Sequence, residues 1–294
     1  MTETSGRRFS VIVTTHNRFE YMQEAVRSAV TQTVPPYEIC IVDDGSTPPV
    51  RPLWEEAQPV PTDIPIVFVR IEDEGPAAAR NAGAAATQGD FLAFLDDDDM
   101  MMPTYLERVR DHLNAESSEV TVAWLRCFDA DREWSGKHFP TDHLQHDPYE
   151  RNIGFVGSNI VVARSIYDKI GGFDASLLGS EDKDLYIRLK AADARIAVIE
   201  EELIRYRIHA SEQASGSFGF HPFQVSGKRL FLQKHGAAMA PAVYKRLAAD
   251  SGFFRLFGGK RVPDRIDGLL SVLRHEPTKL FSAVHVLLHK LRPR

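Results

Sequence analysis

The sequence predicts an α/β fold in which a mostly parallel central sheet is flanked by helices and followed by a helical extension. Over the first hundred residues, short apolar runs rich in β-branched side chains alternate with segments of helical periodicity. This alternation indicates βαβ units, and the continuous apolar character of the runs is typical of strands covered on both faces. After about residue 223 the apolar residues recur at helical spacing, which predicts the extension.

The elements of the first hundred residues are predicted in the order strand, helix, strand, strand, helix, strand. The strands are Phe9–Thr14, Glu38–Asp43, Ile66–Arg70 and Phe91–Leu95, and the helices are Glu20–Thr31 and Gly75–Thr87. Tyr21, Ala25 and Ala29 share one side of the first helix, and the second helix is rich in alanine.

The later elements begin after a polar, aperiodic segment at residues 128–152, which is predicted to be a long loop. The predicted elements after it are a strand at 159–163, helices at 164–170 and 181–192, and extended segments at 196–199 and 203–208. Pro241, Pro263 and Pro277 are predicted to start helices, because proline is favoured in the first helical turn.

Charge divides the chain near residue 215. The whole chain has a net charge of −6, but residues 216–294 carry +10 and residues 1–215 carry −16. We therefore predict a domain over residues 1–215 and a basic, mainly helical extension over residues 216–294. The acidic body argues against nucleic acid as a partner, because a phosphate backbone is bound by clustered lysine and arginine.

Composition excludes several classes of protein. Of the 294 residues, 43% are hydrophobic and 26% are charged, which is ordinary for a soluble globular chain. No apolar run approaches the roughly 18 residues of a membrane span, and the first ten residues lack the apolar stretch of a secretory signal. Cys40 and Cys127 are too few for a disulfide scaffold, so we expect two reduced, buried thiols in a cytoplasmic protein.

Three of the predicted strands end in polar clusters, at Thr14–Arg18, Asp43–Ser46 and Asp96–Asp99. Any one cluster is explained by the polarity of loops. Ligands of open α/β sheets, however, bind outside the carboxyl ends of the strands. The three clusters are therefore predicted to meet in one crevice.

The run Asp96–Asp99 is the sharpest of these signals. Four adjacent carboxylates repel one another unless a cation compensates them. Mg²⁺ is commonly held by one or two carboxylates together with substrate phosphates, so the run predicts a Mg²⁺ or Mn²⁺ diphosphate site. A solvated acidic turn is the alternative. The glycine-rich motifs of dinucleotide sites and of P-loops are absent from the sequence.

Six motifs, in this order, resemble family 2 inverting glycosyltransferases with the GT-A fold. They are SVIVTTHNR at 10–18, CIVDDGST at 40–47, GPAAARNAGAAATQGDFLAFLDDDD at 75–99, GGFDASL at 171–177, SEDKDLYIRL at 180–189 and YRIHASEQAS at 206–215. The resemblance implies a GT-A nucleotide-diphospho-sugar transferase fold for residues 1–215. It also implies inverting transfer of a sugar from a nucleotide diphosphate donor to a hydroxyl of a glycan or lipid-linked acceptor.

The resemblance also implies which residues contact the donor nucleotide. Thr14, Thr15 and Asn17 would lie near the base and ribose. Asp43 would accept the uracil N3–H, which favours UDP- or dTDP-linked donors. The other residues implied at the nucleotide are Asp44, Arg80, Asp96 and Asp97.

The resemblance also implies the metal ligands and the general base. Asp98 would bind Mn²⁺ or Mg²⁺ directly, although the run of four aspartates leaves this register open by one residue. His209 would complete the metal site, or is instead a hydrogen-bonded surface histidine. Asp182 would be the general base. Its structural alternative is a place in the first turn of a helix capped by Ser180, where carboxylates are favoured.

Acceptor and partners are the least defined part of the hypothesis. The residues implied on the acceptor side are Gly157, Ser158, Glu181 and Trp134. The basic amphipathic pattern at 277–291 predicts a helix that lies on the inner face of an anionic membrane, or one that packs on the catalytic domain or on another subunit. Two rival functions remain. A nucleotidyltransferase is disfavoured because TTHNR contains no glycine, and a catalytically silent GT-A domain would bind glycans or act as a scaffold in polysaccharide assembly.

Overall fold

The computed structural model describes residues 7–150, 152–209, 222–258 and 262–277. The strands of this part are β1 (Phe9–Thr15), β2 (Glu38–Asp44), β3 (Ile66–Ile71), β4 (Phe91–Asp96), β5 (Met100–Met101), β6 (Val120–Phe128), β7 (Glu133–Ser135), β8 (Ile160–Ala163) and β9 (Ile196–Arg207). The helices are α1 (Phe19–Val30), α2 (Val50–Ala57), α3 (Pro76–Ala86), α4 (Tyr105–Glu116), α5 (Arg164–Ile170), α6 (Glu181–Ala191), α7 (Pro222–His235), α8 (Pro241–Gly258) and α9 (Val262–His275).

The strands form one mixed sheet in the order β3-β2-β1-β4-β8-β6-β9-β5, with β7 paired to β6. The first four strands of that order are parallel, β8 is antiparallel to both of its neighbours, and β6 and β9 are again parallel to each other. The carboxyl ends of β1, β2, β4, β6 and β9 therefore lie along one edge of the sheet. The predicted α/β fold is confirmed, and the reversed strands β5, β7 and β8 add an antiparallel component to it.

Strands β1 and β2 are buried along their whole lengths, as their continuous apolar runs predict. Helix α3 covers both strands at short range. It begins after Gly75 with Pro76 in its first turn, a favoured position for proline. Close approach to the sheet is possible because Gly83 has no side chain. A Cβ built there would lie 2.4 Å from Ile12 Cγ2 and 3.0 Å from Val42 Cγ2.

Gly83→Ala is expected to destabilise the fold by about 1–3 kcal/mol, because the added methyl group overpacks the contact between α3 and the sheet. The measurement is the free energy of unfolding in urea. Ala85→Ser, at an exposed position of the same helix, is the matched control and should change stability by less than about 0.5 kcal/mol. Equal stability of the two variants would show that the helix moves away at little cost.

Two local predictions were incomplete. The segment predicted as a loop at 128–152 contains β7 and a short 3₁₀ helix, His143–Gln145. The two predicted extended segments near 196–208 are one strand, β9. Its register against β6 shifts on both sides of Trp124, which is the signature of a bulge. That irregularity interrupts the apolar alternation at Glu200 and Glu201 without ending the strand.

The described residues fall into two compact units. The first comprises those up to Ala175 and those from Glu181 to 209, and the second comprises Ser176–Ser180 and those from 222 onward. In the second unit α8 begins at Pro241 as predicted, and α9 begins one residue before Pro263. The amphipathic segment predicted at 277–291 lies outside the described residues after Pro277.

Two predictions from composition can be compared with the structure. Cys40 and Cys127 are unpaired and buried, as predicted. In the part of the chain that the structure describes, no helix has both the length and the hydropathy needed to span a membrane.

Candidate active site

The three polar clusters meet at the carboxyl edge of the sheet, as the sequence predicts. Strand β1 pairs with β4 so that Thr14 is opposite Asp96, and with β2 so that Thr15 is opposite Asp43. The Thr15 hydroxyl donates a hydrogen bond of 2.8 Å to Asp97, and Thr14 Oγ1 lies 3.5 Å from an Asp96 carboxylate oxygen. The first and third clusters are therefore in direct contact.

Asn17 joins the first cluster to the second. Its backbone has a positive φ of 57°, a conformation that asparagine tolerates better than most residues. In this conformation its N–H donates to Ser46 Oγ at 2.9 Å, and its side-chain oxygen accepts the Thr47 N–H at 2.7 Å. The turn after β1 and the loop after β2 are thereby held together.

Asp43 and Asp44 both bind backbone amides within the fold. Asp43 accepts hydrogen bonds from the Ser46 and Val50 amides and lies 2.6 Å from the Arg70 guanidinium. Burial alone would raise the pKa of Asp43, but these hydrogen bonds outweigh it and hold the pKa below its ordinary value. Asp44 accepts hydrogen bonds from the backbone amides of Glu74 and Gly75, just before α3. The two carboxylates thus shape the loops after β2 and β3, and their contact with a nucleotide stays a prediction.

The four aspartates, which we call the aspartate loop (Asp96–Asp99), differ in burial and in their partners. Asp97 is buried, and burial together with neighbouring Asp98 raises its pKa to about 6. Asp99 is also buried; its pKa is raised by burial and by Asp96, although its carboxylate accepts the Arg207 amide at 3.0 Å. Asp98 is more exposed and has two partners, the Arg18 guanidinium at 2.6 Å and the His209 imidazole at 2.7 Å.

The end of β9 also contacts this loop. Arg207 Nε donates to the Asp98 carbonyl oxygen at 2.9 Å, and its guanidinium lies 4.5 Å from the ring centres of both Tyr21 and Phe128. His209 follows two residues later and reaches the Asp98 carboxylate. Sequence reasoning missed Arg18 and Arg207, although both stand inside the quoted motifs TTHNR and YRIHASEQAS.

Asp98 and His209 fit the predicted divalent cation by donor type, since they offer a carboxylate oxygen and an imidazole nitrogen 2.7 Å apart. Within the described ranges, no three His, Cys, Asp or Glu side chains are arranged as a complete metal site. A Mg²⁺ or Mn²⁺ ion held by one or two side chains takes its other ligands from water and substrate phosphates. The two donors are compatible with a site whose other ligands come from water and a diphosphate, and the bound metal stays a prediction.

Arg80 is a buried cation that links the aspartate loop to the start of α6. Its guanidinium lies 2.6 Å from Asp96, 3.7 Å from Glu181 and 3.6 Å from Asp182. Gly157 packs directly against it, because a Cβ at that glycine would lie 2.5 Å from Arg80 Nη2. Arg80 is only 3% exposed, so it lies beneath the site.

Asp182 stands in the first turn of α6, with its side chain 21% exposed. Burial raises its pKa to about 7, despite the nearby Arg80 guanidinium and a hydrogen bond from the Gly157 amide. Its Oδ1 atom is buried beside the Arg80 guanidinium and has no hydrogen-bond partner among the described residues. Asp182 is thus a partly exposed carboxylate with a pKa near neutrality, which are the properties of a general base.

Three of the four residues predicted on the acceptor side are buried. Ser158 is fully buried and its hydroxyl accepts the Asp96 N–H at 3.1 Å, so it supports the aspartate loop and is not available to an acceptor. Gly157 and Glu181 are likewise buried against Arg80. Trp134 lies on β7 with the Arg132 guanidinium 4.9 Å from its ring centre, and its acceptor role stays a prediction.

Comparison with known proteins agrees with this architecture. Among curated relatives, the uncharacterized glycosyltransferase YwdF of Bacillus subtilis is 28% identical over 244 residues, which cover 80% of this chain and 86% of YwdF. The O-antigen biosynthesis protein RfbC of Myxococcus xanthus is 29% identical over 77% of this chain, a match that spans 18% of RfbC.

Solved structures with this fold include S. aureus TarS 1-349 in complex with UDP-GlcNAc. It superimposes with a TM-score of 0.63 at 20% identity, and the match covers 89% of this chain and 79% of that one. The similarity shows that the two chains share a fold. The family model described as Glycosyl transferase family 2 matches residues 10–171, more than half of the chain. The chain therefore belongs to glycosyl transferase family 2.

Proposed function

We propose that this chain is an inverting glycosyltransferase that moves a sugar from a nucleotide diphosphate donor to a hydroxyl of a glycan or lipid-linked acceptor. UDP- and dTDP-sugars are the favoured donors, and residues 1–215 form the catalytic domain. The observation that carries the proposal is the placement of Asp182. Its side chain is partly exposed and is joined through Arg80 to the aspartate loop. The UDP-GlcNAc in the TarS complex and the name of RfbC support a nucleotide-sugar donor and a role in polysaccharide assembly.

In the proposed mechanism the Asp182 carboxylate takes the proton from the acceptor hydroxyl. The acceptor oxygen then forms a bond to the anomeric carbon while the bond from that carbon to the diphosphate oxygen breaks, and its electron pair leaves with the diphosphate. A base on the face opposite the leaving group inverts the anomeric centre. A positioned base of this kind contributes about 10²–10⁴-fold to the rate.

Asp98 and His209 would hold the divalent cation, Mn²⁺ or Mg²⁺. When bound, the ion neutralises the charge that develops on the leaving diphosphate. In the structure, Thr15 and Arg18 keep the acidic side chains in place through their contacts with Asp97. The same contacts bring the turn after β1, where the donor nucleotide is proposed to lie, against the aspartate loop.

Activity is expected to rise with pH through about 7, because Asp182 accepts a proton only when it is ionised and burial raises its pKa to about 7. The measurement is kcat/KM between pH 5 and 9, which reports ionisations of the free enzyme. Thermal melts over the same range show whether the protein stays folded. An acidic limb centred near pH 4 would contradict the predicted environment of the base.

Calorimetric titration of UDP, dTDP, GDP and CDP tests the donor site. We expect selective binding of UDP or dTDP with Mn²⁺ present, loss of binding in EDTA, and loss in Asp98→Asn. Asp111→Asn is the matched control, because Asp111 is an exposed aspartate whose partner is the surface residue Arg110. Selective binding of GDP or CDP would overturn the role proposed for Asp43. Equal binding by Asp98→Asn would overturn the metal site.

A further inference from the structure

Arg18 is the most exposed of the arginines that contact the aspartate loop in the described part of the chain. Its Nη1 atom lies 2.6 Å from Asp98 Oδ2 and 3.1 Å from Asp97 Oδ1. The Arg18 side chain is 46% exposed, against 18% for Asp98 and 7% for Asp97. The guanidinium therefore covers the carboxylates from the solvent side.

The other arginines at the loop are held more firmly. Arg80 is buried between three carboxylates. Arg207 is 17% exposed, lies between two aromatic rings, and bonds to a main-chain oxygen of the loop and to Glu24. Neither contacts the Asp98 carboxylate in the structure. Of these three arginines, Arg18 combines contact with that carboxylate and a side chain that is 46% exposed.

The atom that Arg18 contacts is central to the proposed metal site. Asp98 Oδ2 accepts both Arg18 Nη1 and His209 Nε2, and the proposed function assigns Asp98 and His209 as the metal ligands. A divalent cation on this oxygen and a guanidinium 2.6 Å from the same oxygen would repel each other strongly. Contact of the Arg18 guanidinium with Asp98 Oδ2 therefore opposes the binding of a divalent cation to the same oxygen.

We infer that Arg18 is the resident counter-ion of Asp98 and that a divalent cation binds the aspartate loop by displacing it. This inference rests on the proposed metal site. It makes Arg18 a positioning residue that keeps the acidic loop ordered before the ion arrives. Arg18 also lowers the affinity of the site for the metal, because part of the binding free energy of the ion is used to separate an existing ion pair.

A purely structural role for Arg18 predicts the opposite sign. If the guanidinium only clamped the loop, its removal would loosen Asp97 and Asp98 and weaken metal binding. If it competes with the metal, its removal leaves Asp98 uncompensated and strengthens binding. The direction of the change in metal affinity therefore separates the two roles.

The test is the affinity of the full chain for Mn²⁺ without nucleotide. It is measured by calorimetry and by the electron paramagnetic resonance signal of free Mn²⁺. We expect Arg18→Gln to bind Mn²⁺ about five- to tenfold more tightly, at the low end of typical coupling between ligands because the pair is half-exposed. Arg18→Met removes the same charge through another side chain and should agree. Arg18→Lys keeps the charge and should stay within about twofold of the native chain.

Two further variants make the outcome decisive. Arg27→Gln, at an exposed residue in the last turn of α1, should bind Mn²⁺ as the native chain does. Asp98→Asn should lose Mn²⁺ binding, and native affinity in that variant would overturn the metal site itself. Loss in Asp98→Asn combined with unchanged or weaker affinity in Arg18→Gln and Arg18→Met would overturn only the inference on Arg18.

Discussion

Asp182→Asn is expected to abolish sugar transfer while the donor nucleotide still binds with native affinity. Asparagine has nearly the shape of aspartate but cannot take the proton from the acceptor hydroxyl, so kcat should fall by about 10²–10⁴-fold. Donor binding should persist because the residues proposed at the nucleotide lie on β1, β2 and the aspartate loop, whereas Asp182 lies on α6. The measurements are turnover of a UDP-sugar and calorimetric titration of UDP with Mn²⁺. Unchanged turnover would overturn the assignment of Asp182 as the base, whereas no turnover in the native chain would favour the silent-domain hypothesis.

Stability distinguishes this chemical loss from misfolding. The folded protein holds a proton on Asp182 at pH values where the unfolded chain has lost it, because the folded pKa is raised to about 7 from an ordinary value of 3.8. The contribution of Asp182 to stability therefore falls as pH rises from about 4 to about 7 and stays low above that. The amide removes this penalty, so the melting temperature of Asp182→Asn at pH 8 should not lie below that of the native chain.

Glu181→Gln is the matched control for the base assignment. Glu181 precedes Asp182, lies 3.7 Å from the same Arg80 guanidinium and is 7% exposed. Because it is less accessible than Asp182, its replacement should reduce kcat by a smaller factor. A loss in Glu181→Gln that equals or exceeds that of Asp182→Asn would transfer the role of base to Glu181.

The parts of the fold that were predictable are those written in local patterns. Strands β1, β2 and β4 are continuous apolar runs, and their predicted bounds differ from the observed ones by one residue. Strands β5 and β7 span only two and three residues, too few for any periodicity. They form because β5 pairs with β9 and β7 pairs with β6. A local sequence pattern cannot show that a partner strand will be adjacent in the folded sheet.

The candidate site was predictable to a similar depth. Strand ends and the run of aspartates indicated where side chains would meet, because parallel strands share a carboxyl edge. The sequence did not indicate which charges pair, since Arg18 and His209 reach Asp98 across 80 and 111 residues. Ser158 shows the same limit. It belongs to the site through the Asp96 amide, a contact that depends on the order of β4 and β8 in the sheet.

Arg80→Met is expected to produce the largest loss of stability of any single substitution at the site. It would leave Asp96, Glu181 and Asp182 near one another without their shared cation, and removing one member of a buried ion pair typically costs about 3–5 kcal/mol. Arg80 is 4% exposed at its side chain, so water cannot replace it. The measurement is urea unfolding at pH 7. Arg51→Met, which breaks an exposed pair with Glu55, should cost less than about 1 kcal/mol.

The origin of this loss can be tested by removing charge from the other side. Adding Asp96→Asn to Arg80→Met should recover part of the stability, because one of the uncompensated carboxylates becomes neutral. The effects of substitutions at contacting residues on the free energy of unfolding are not additive. Lowering the pH towards 5 should also narrow the difference in stability from the native chain. Burial raises the pKa of Asp182 to about 7, so its protonation relieves part of the same repulsion. If neither change restores stability, the cost of Arg80→Met arises from lost packing against Phe173 and Gly157. The guanidinium would then fill space under the base instead of balancing its charge.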